Sequence, residues 1–208
     1  MNVNIYVADK SHIKYADSIC ELMYISALER GTGIAKRSPE YIAEKISSGK
    51  AVIALDGEEL VGFAYIETWS HSKFVANSGL IIAHKYRHLG YAKKVKSKIF
   101  NLSRKLYPDA KIFSITTGLA VMKLNTQLGF KPVTFSELTD DPEFWKGCEG
   151  CKNIEVLKSN EYKMCLCTGL LYDPVEKNKS KITPALVSMG KSLIINPLVK
   201  INSIITKK

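Results

Sequence analysis

The sequence predicts an α/β domain, a mixed β-sheet flanked by helices. Three observations carry this. Short apolar blocks and alternating runs recur along the chain at strand length. Between them lie longer stretches with apolar residues three and four apart. The order of the two kinds is β-α-α-β-β-β-α-β-α-β-β, with hairpins at the front and a βαβα unit at the back. That order is not the doubly wound layout of dinucleotide-binding sheets.

Residues 3–8 (VNIYVA) alternate and read as the first strand. Over residues 12–30, Ile19, Leu22, Met23, Ile25 and Leu28 keep helical spacing, and Gly31-Thr32-Gly33 ends that helix. Ser38 and Pro39 then suit the N-cap and first position of a helix running to Gly49. Residues 50–55 and 60–68 are strands joined at Asp56-Gly57, with Glu58 and Glu59 expected to widen the loop. Residues 74–82 form the next strand. Its internal Asn77-Ser78-Gly79 marks a bulge or a close backbone approach. A helix follows to about Tyr107, stopped by Pro108. A strand at 111–116, a helix at 119–128 closed by Gly129, and a strand at 130–135 come next. Residues 141–159 read as a loop with short helical pieces, and 163–171 as the last strand.

The charge of +10 is uneven. From residue 174 to 208 there are seven lysines and one glutamate, so the body is only mildly basic. That is weak ground for nucleic-acid binding and suits a phosphorylated cofactor equally well. No apolar run reaches membrane-spanning length, so no integral membrane association is expected. The first fifteen residues do not read as a secretory signal, and the five cysteines are an odd number. Both point to a reducing, cytoplasmic setting. The chain divides into a domain over residues 1–173 and a basic, aliphatic tail over 174–208. A tail helix near 185–196 is expected to pack on the body or on a second subunit, as in a homodimer.

Residues 84–95, HKYRHLGYAKKV, follow the apolar run Leu80-Ile81-Ile82-Ala83. A strand that enters a glycine turn and launches a helix presents unpaired N–H groups with partial positive charge, a place where phosphates bind. Gly90 and Ala92 keep the approach thin, while Arg87, Lys93 and Lys94 add full charges. The stretch Arg87-His88-Leu89-Gly90-Tyr91-Ala92, the preceding strand and the later Leu128-Gly129-Phe130 together resemble the GNAT superfamily of acyl-CoA N-acyltransferases. The resemblance covers roughly residues 3–171.

It implies that the fourth and fifth strands splay around an acyl-CoA co-substrate. The backbone from Leu80 through Ile81 to Ile82 would pair with the pantetheine arm. The amides of His88, Leu89, Gly90, Tyr91 and Ala92 would hold the pyrophosphate, with Arg87 and Lys93 beside them. Acyl transfer to an amine needs a proton acceptor and a donor for the carbonyl oxygen. Glu67 is the foremost base candidate, though a surface carboxylate is the ordinary reading of such a residue. Ser78 is a weaker candidate, as a water holder, and so is His71. The N–H of Leu80 or Ile81 at the bulge is the expected oxyanion donor; a simple twist device is the alternative. Many family members carry a tyrosine acid four residues before the glycine of this last motif. Here that position is Asn125, which cannot give up a proton usefully.

Residues 31–42, GTGIAKRSPEYI, resemble the N-acetylglutamate synthase group, in which an arginine helps to hold the amino-acid substrate. Carried over, that residue is Arg37. The segments DDPEFWKGCEGC and KMCLCTGLLYDP resemble acetyltransferases of arginine biosynthesis. The resemblance implies transfer of an acetyl group from acetyl-CoA to a small amine such as the α-amino group of glutamate. A protein N-terminus, a lysine or a polyamine is an alternative acceptor, and a non-catalytic acyl-CoA sensor is the alternative outside enzymes. Cys148, Cys151, Cys165 and Cys167 have spacing that zinc could use. Cysteines packed as small hydrophobes explain them without metal, so no metal site is assigned.

Overall fold

A computed structural model describes residues 2–31 and 36–176. Among the described residues, seven strands make one sheet: β1 (Val3–Val7), β2 (Ala51–Asp56), β3 (Glu59–Trp69), β4 (Phe74–Ile82), β5 (Lys111–Thr116), β6 (Lys131–Val133) and β7 (Thr168–Tyr172). Their order is β1-β2-β3-β4-β5-β7-β6. Every neighbouring pair is antiparallel except β4 with β5. The helices are α1 (Ala16–Arg30), α2 (Pro39–Ser47), α3 (Tyr91–Leu106), α4 (Leu119–Gln127), α5 (Pro142–Lys146) and α6 (Ile154–Ser159). All lie within the compact unit Met1–Asp173. The tail helix expected near 185–196 lies outside the described residues.

The local signals act as the sequence suggests. Gly31 takes φ +64° and its N–H closes α1 onto Ala27 and Leu28. The Ser38 hydroxyl accepts from the Tyr41 N–H, with Pro39 at the first position of α2. Ile42 and Ile46, four apart on α2, are fully buried against Ile19 of α1 and Ile53 and Phe63 of the sheet. On the other face, Val95, Ile99 and Phe100 of α3 pack on Val52, Ala64 and Ile82. Each such side chain contributes about 1.5–3 kcal/mol by leaving water.

Three details differ from the expectation. Glu59 pairs with Asp56, so only Gly57 and Glu58 form the β2–β3 turn; Gly57 at φ +61° lets the loop close that tightly. The long first helix opens with a 3-10 segment, Lys10–Tyr15, under an Asp9 cap. The last strand begins at Thr168, not at 163. β5 ends at Thr116, which pairs with Thr168, so residues 163–167 have no strand to pair with. The C-x-C pair, Cys165 and Cys167, therefore precedes the strand instead of lying within it.

What positions the site is the parting of β4 and β5. They pair only at Phe74–Lys111, Val75–Ile112 and Ala76–Phe113. From Asn77 to Ile82, β4 has no β5 partner, while β5 turns to β7. The sheet thus opens into a V with its apex at Ala76–Asn77. The expected splay of the fourth and fifth strands is present.

Candidate active site

The open edge of β4 carries the bulge. Tyr65 faces Ser78 and Phe63 faces Ile81, so Ala64 alone stands opposite Gly79 and Leu80. Gly79 sits at φ +64°, where an L side chain is strained, and a Cβ there would lie 2.3 Å from the Tyr65 ring. The kink therefore needs glycine twice over. Of the predicted pairing residues, Leu80 is half-buried, Ile81 is rooted in the core below α1 and α2, and Ile82 is rooted in the core below α3.

At the mouth of the V, α3 begins. Gly90 takes φ +83°, and no side chain caps the helix. The amides of Tyr91, Ala92 and Lys93 are thus free of intrahelical partners. His88, also at positive φ, and Leu89 are exposed in the turn before them. The first turn carries Lys93 and Lys94 and no acid. A Cβ on Gly90 would meet nothing within 4 Å, so the residue serves the backbone angle rather than clearance within the chain itself. Arg87 is held from β4 and α1. Its guanidinium donates to the Ile82 carbonyl at 3.1 Å and pairs with Glu29 at 2.6 Å. It ties the end of β4 to α1.

On the α1–α2 side of β4, three predicted residues converge. Glu67, 8% exposed, accepts from Ser78 Oγ at 2.6 Å on one carboxylate oxygen. On the other oxygen it accepts from Arg37 Nη2 at 3.4 Å and from the Tyr41 hydroxyl. Arg37 also donates from Nε to Tyr65 Oη at 3.0 Å and stacks over the Tyr41 ring. Glu67 and Arg37, read separately from the sequence as base and carboxylate holder, are therefore partners of one another. Tyr41 and Tyr65 escaped sequence reasoning. Their only signal was aromatic residues three residues after Ser38 and two before Glu67, which any core would show.

Burial, then the Glu67 carboxylate, pushes the Tyr41 phenol far above its usual range. Burial does the same to Tyr65. Both stay neutral: Tyr41 donates to Glu67, and Tyr65 accepts from Arg37 Nε. For Arg37, burial opposes the charge, but Tyr65, Glu67 and Tyr41 outweigh it and the guanidinium is held more firmly protonated. His71 lies exposed in the β3–β4 turn, away from this cluster.

Asn125, on α4, is fully buried, and both its amide oxygen and nitrogen lack a partner. Between α3 and α4 runs a cavity of about 210 Å³ lined by Lys93, Lys96, Ser97, Leu124, Gln127 and Leu128. Leu124 is the α4 neighbour of Asn125.

Cys148, Cys165 and Cys167 pack against an aromatic cluster around Phe113, Phe135 and Trp145. Burial pushes the Cys148 thiol up to about 11 and the Cys167 thiol up to about 12. Among the described residues, no group of three or more His, Cys, Asp or Glu is disposed to hold a metal ion. No described helix is long and apolar enough to cross a membrane.

No family model matches the chain, and no curated protein matches it in sequence. Solved structures do match in fold. N-acetylglutamate synthase from Neisseria gonorrhoeae, complexed with coenzyme A and N-acetyl-glutamate, aligns with 83% of this chain at 18% identity and TM-score 0.57. This chain spans only 35% of that synthase. Diaminobutyrate acetyltransferase from Paenibacillus lautus, with its diaminobutyric acid substrate and coenzyme A, aligns at 11% identity and TM-score 0.56, over 83% of this chain and 95% of its own. A GNAT phosphinothricin acetyltransferase from Sinorhizobium meliloti, with acetyl-CoA, aligns at 15% identity and TM-score 0.54, over 83% and 89%. This chain thus has the fold of these acetyltransferases.

Proposed function

We propose that this chain is an N-acyltransferase that moves an acetyl group from acetyl-CoA to a small primary amine, foremost the α-amino group of an amino acid such as glutamate. The observation that carries the reading is the V between β4 and β5, with unpaired backbone along one arm and uncapped amides of α3 at its mouth. An extended amide-bearing arm can add to the open edge of β4 as a strand would, and a diphosphate suits the first turn of α3. Solved proteins of this fold carry coenzyme A or acetyl-CoA, which supports the same occupant here.

Acetyl-CoA, when bound, supplies the activated acyl group. The chain does the rest. The bulge at Gly79 and Leu80 aims an N–H at the carbonyl oxygen. Glu67 takes a proton from the attacking amine, and Ser78 fixes the carboxylate's orientation. Arg37, with N–H groups to spare beyond its bonds to Tyr65 and Glu67, holds the acceptor's carboxylate.

CoA release from acetyl-CoA and from succinyl-CoA, measured over a panel of amino acids and checked by product mass, tests the reading. Saturable transfer to one amino acid is expected. Binding of acetyl-CoA without transfer to any panel member would exclude a free amino acid as acceptor.

Replacing Arg37 by Lys is expected to raise the apparent KM for that amino acid roughly 10- to 100-fold, as loss of a bidentate charged contact of about 1.5–3 kcal/mol implies. An unchanged KM would remove Arg37 from the acceptor site.

A further inference from the structure

Lys96 is a lysine where α3 should present an aliphatic residue. It is 2% exposed, flanked by buried Val95 and lying in the helix face that also buries Ile99 and Phe100. Its Nζ donates to Asn77 Oδ1 at 3.2 Å and lies over the Phe130 ring. Asn77 in turn donates to Ser103 Oγ at 2.8 Å, and Ser103 donates to the Ile99 carbonyl at 2.9 Å. This chain of bonds fixes the amide and leaves Nζ with one protein acceptor for three donors.

Its place in the fold is specific. Asn77 is the first β4 residue beyond the pairing with β5, at the apex of the V. Lys96 also lines the cavity between α3 and α4. Asn125, with both side-chain polar atoms buried and unpartnered, follows the lining residue Leu124 on α4, and its backbone carbonyl accepts from the Phe130 N–H. The groups bonded to Nζ are neutral, and the other charged residue on the cavity wall is Lys93, one turn earlier on α3. Burial alone lowers Lys96 to about 7, the range in which an acid both holds its proton and yields it.

The geometry points to Lys96 as the group that protonates the departing thiol, the role that Asn125 cannot fill. This rests on the acyl-CoA reading of the cleft. Lys96 gives one proton to sulfur as the carbon–sulfur bond breaks and that bond's electron pair stays on sulfur. Glu67 takes the proton that the amine loses in forming the carbon–nitrogen bond. Solvent exchange afterwards returns a proton to Lys96 and removes one from Glu67, so charge and protons balance.

The test pairs Lys96→Met and Lys96→Arg with two readouts: single-turnover transfer, and the ultraviolet thiolate absorbance of bound CoA followed against pH. In the wild type, bound CoA is expected to stay a thiol at least up to the pH at which free CoA ionises, because the lysine left beside it after donation is neutral. In Lys96→Arg the fixed charge lowers that pH, and transfer is lost because a guanidinium does not release its proton. In Lys96→Met transfer falls roughly 10²- to 10⁴-fold, with acetyl-CoA affinity by calorimetry retained. Wild-type bound CoA that ionises well below free CoA shows that Lys96 keeps its proton beside a thiolate, and overturns the inference even if the variants fail to fold. So does wild-type transfer by Lys96→Met. Failure of the wild type to bind acetyl-CoA at all would instead overturn the acyl-CoA reading, and this inference with it.

Discussion

Glu67→Gln is expected to lower kcat for amine acetylation roughly 10²- to 10⁴-fold, the usual contribution of a positioned proton acceptor, with acetyl-CoA affinity unchanged. The substitution suits the question because the network can accept it. Tyr41 and Arg37 both donate to one carboxylate oxygen, and Ser78 donates to the other. A glutamine can keep its oxygen toward Tyr41 and Arg37 and turn its NH₂ to Ser78, whose hydroxyl can accept instead. Shape and most hydrogen bonds survive; the charge and the basic oxygen do not. Arg37 loses its counter-ion, so some loss of stability will accompany the change. Thermal melting separates the two effects. A folded Glu67→Gln protein with wild-type kcat would show that the carboxylate only holds Arg37 and the two tyrosines in place.

Gly79→Ala is expected to destabilise the fold by roughly 2–5 kcal/mol. About 1–2 kcal/mol comes from forcing a side chain into the left-handed region. Overpacking against the buried Tyr65 ring adds about 1–3 kcal/mol. For a domain of this size the melting temperature should fall by about 10 °C. The damage reaches the acceptor side as well. Tyr65, 2% exposed, is the ring that must move, and its hydroxyl holds Arg37 Nε. The KM for the amine should therefore rise more than that for acetyl-CoA. A melting temperature within a degree of wild type would mean that the bulge can relax, and that glycine is not what sets its shape.

Much of the fold was legible because its signals are local. Helix caps at Gly31 and Ser38, the glycine in β4 and the glycine turn before α3 each act within a few residues, so spacing reveals them. The last strand was misplaced for the opposite reason. Residues 163–167 have strand-like composition, but a strand exists only where a partner runs beside it, and β5 ends at Thr116. Arg87 shows the same limit in a side chain. Its motif gives no hint of Glu29, far away in sequence, which pairs with its guanidinium.

The sequence alone determined the order of elements, the bulge glycine, the bare start of α3 and the presence of Glu67, Ser78, Arg37 and Asn125. These depend on residue type and short-range spacing. Only the tertiary structure decided that Glu67 and Arg37 face each other, that Tyr41 and Tyr65 join them, and that Lys96 lies buried at the apex of the V. Each of those facts depends on which chain segments meet across the sheet and how much water they exclude. Neither quantity is carried by a local pattern, because the meeting residues lie from 19 to 30 positions apart.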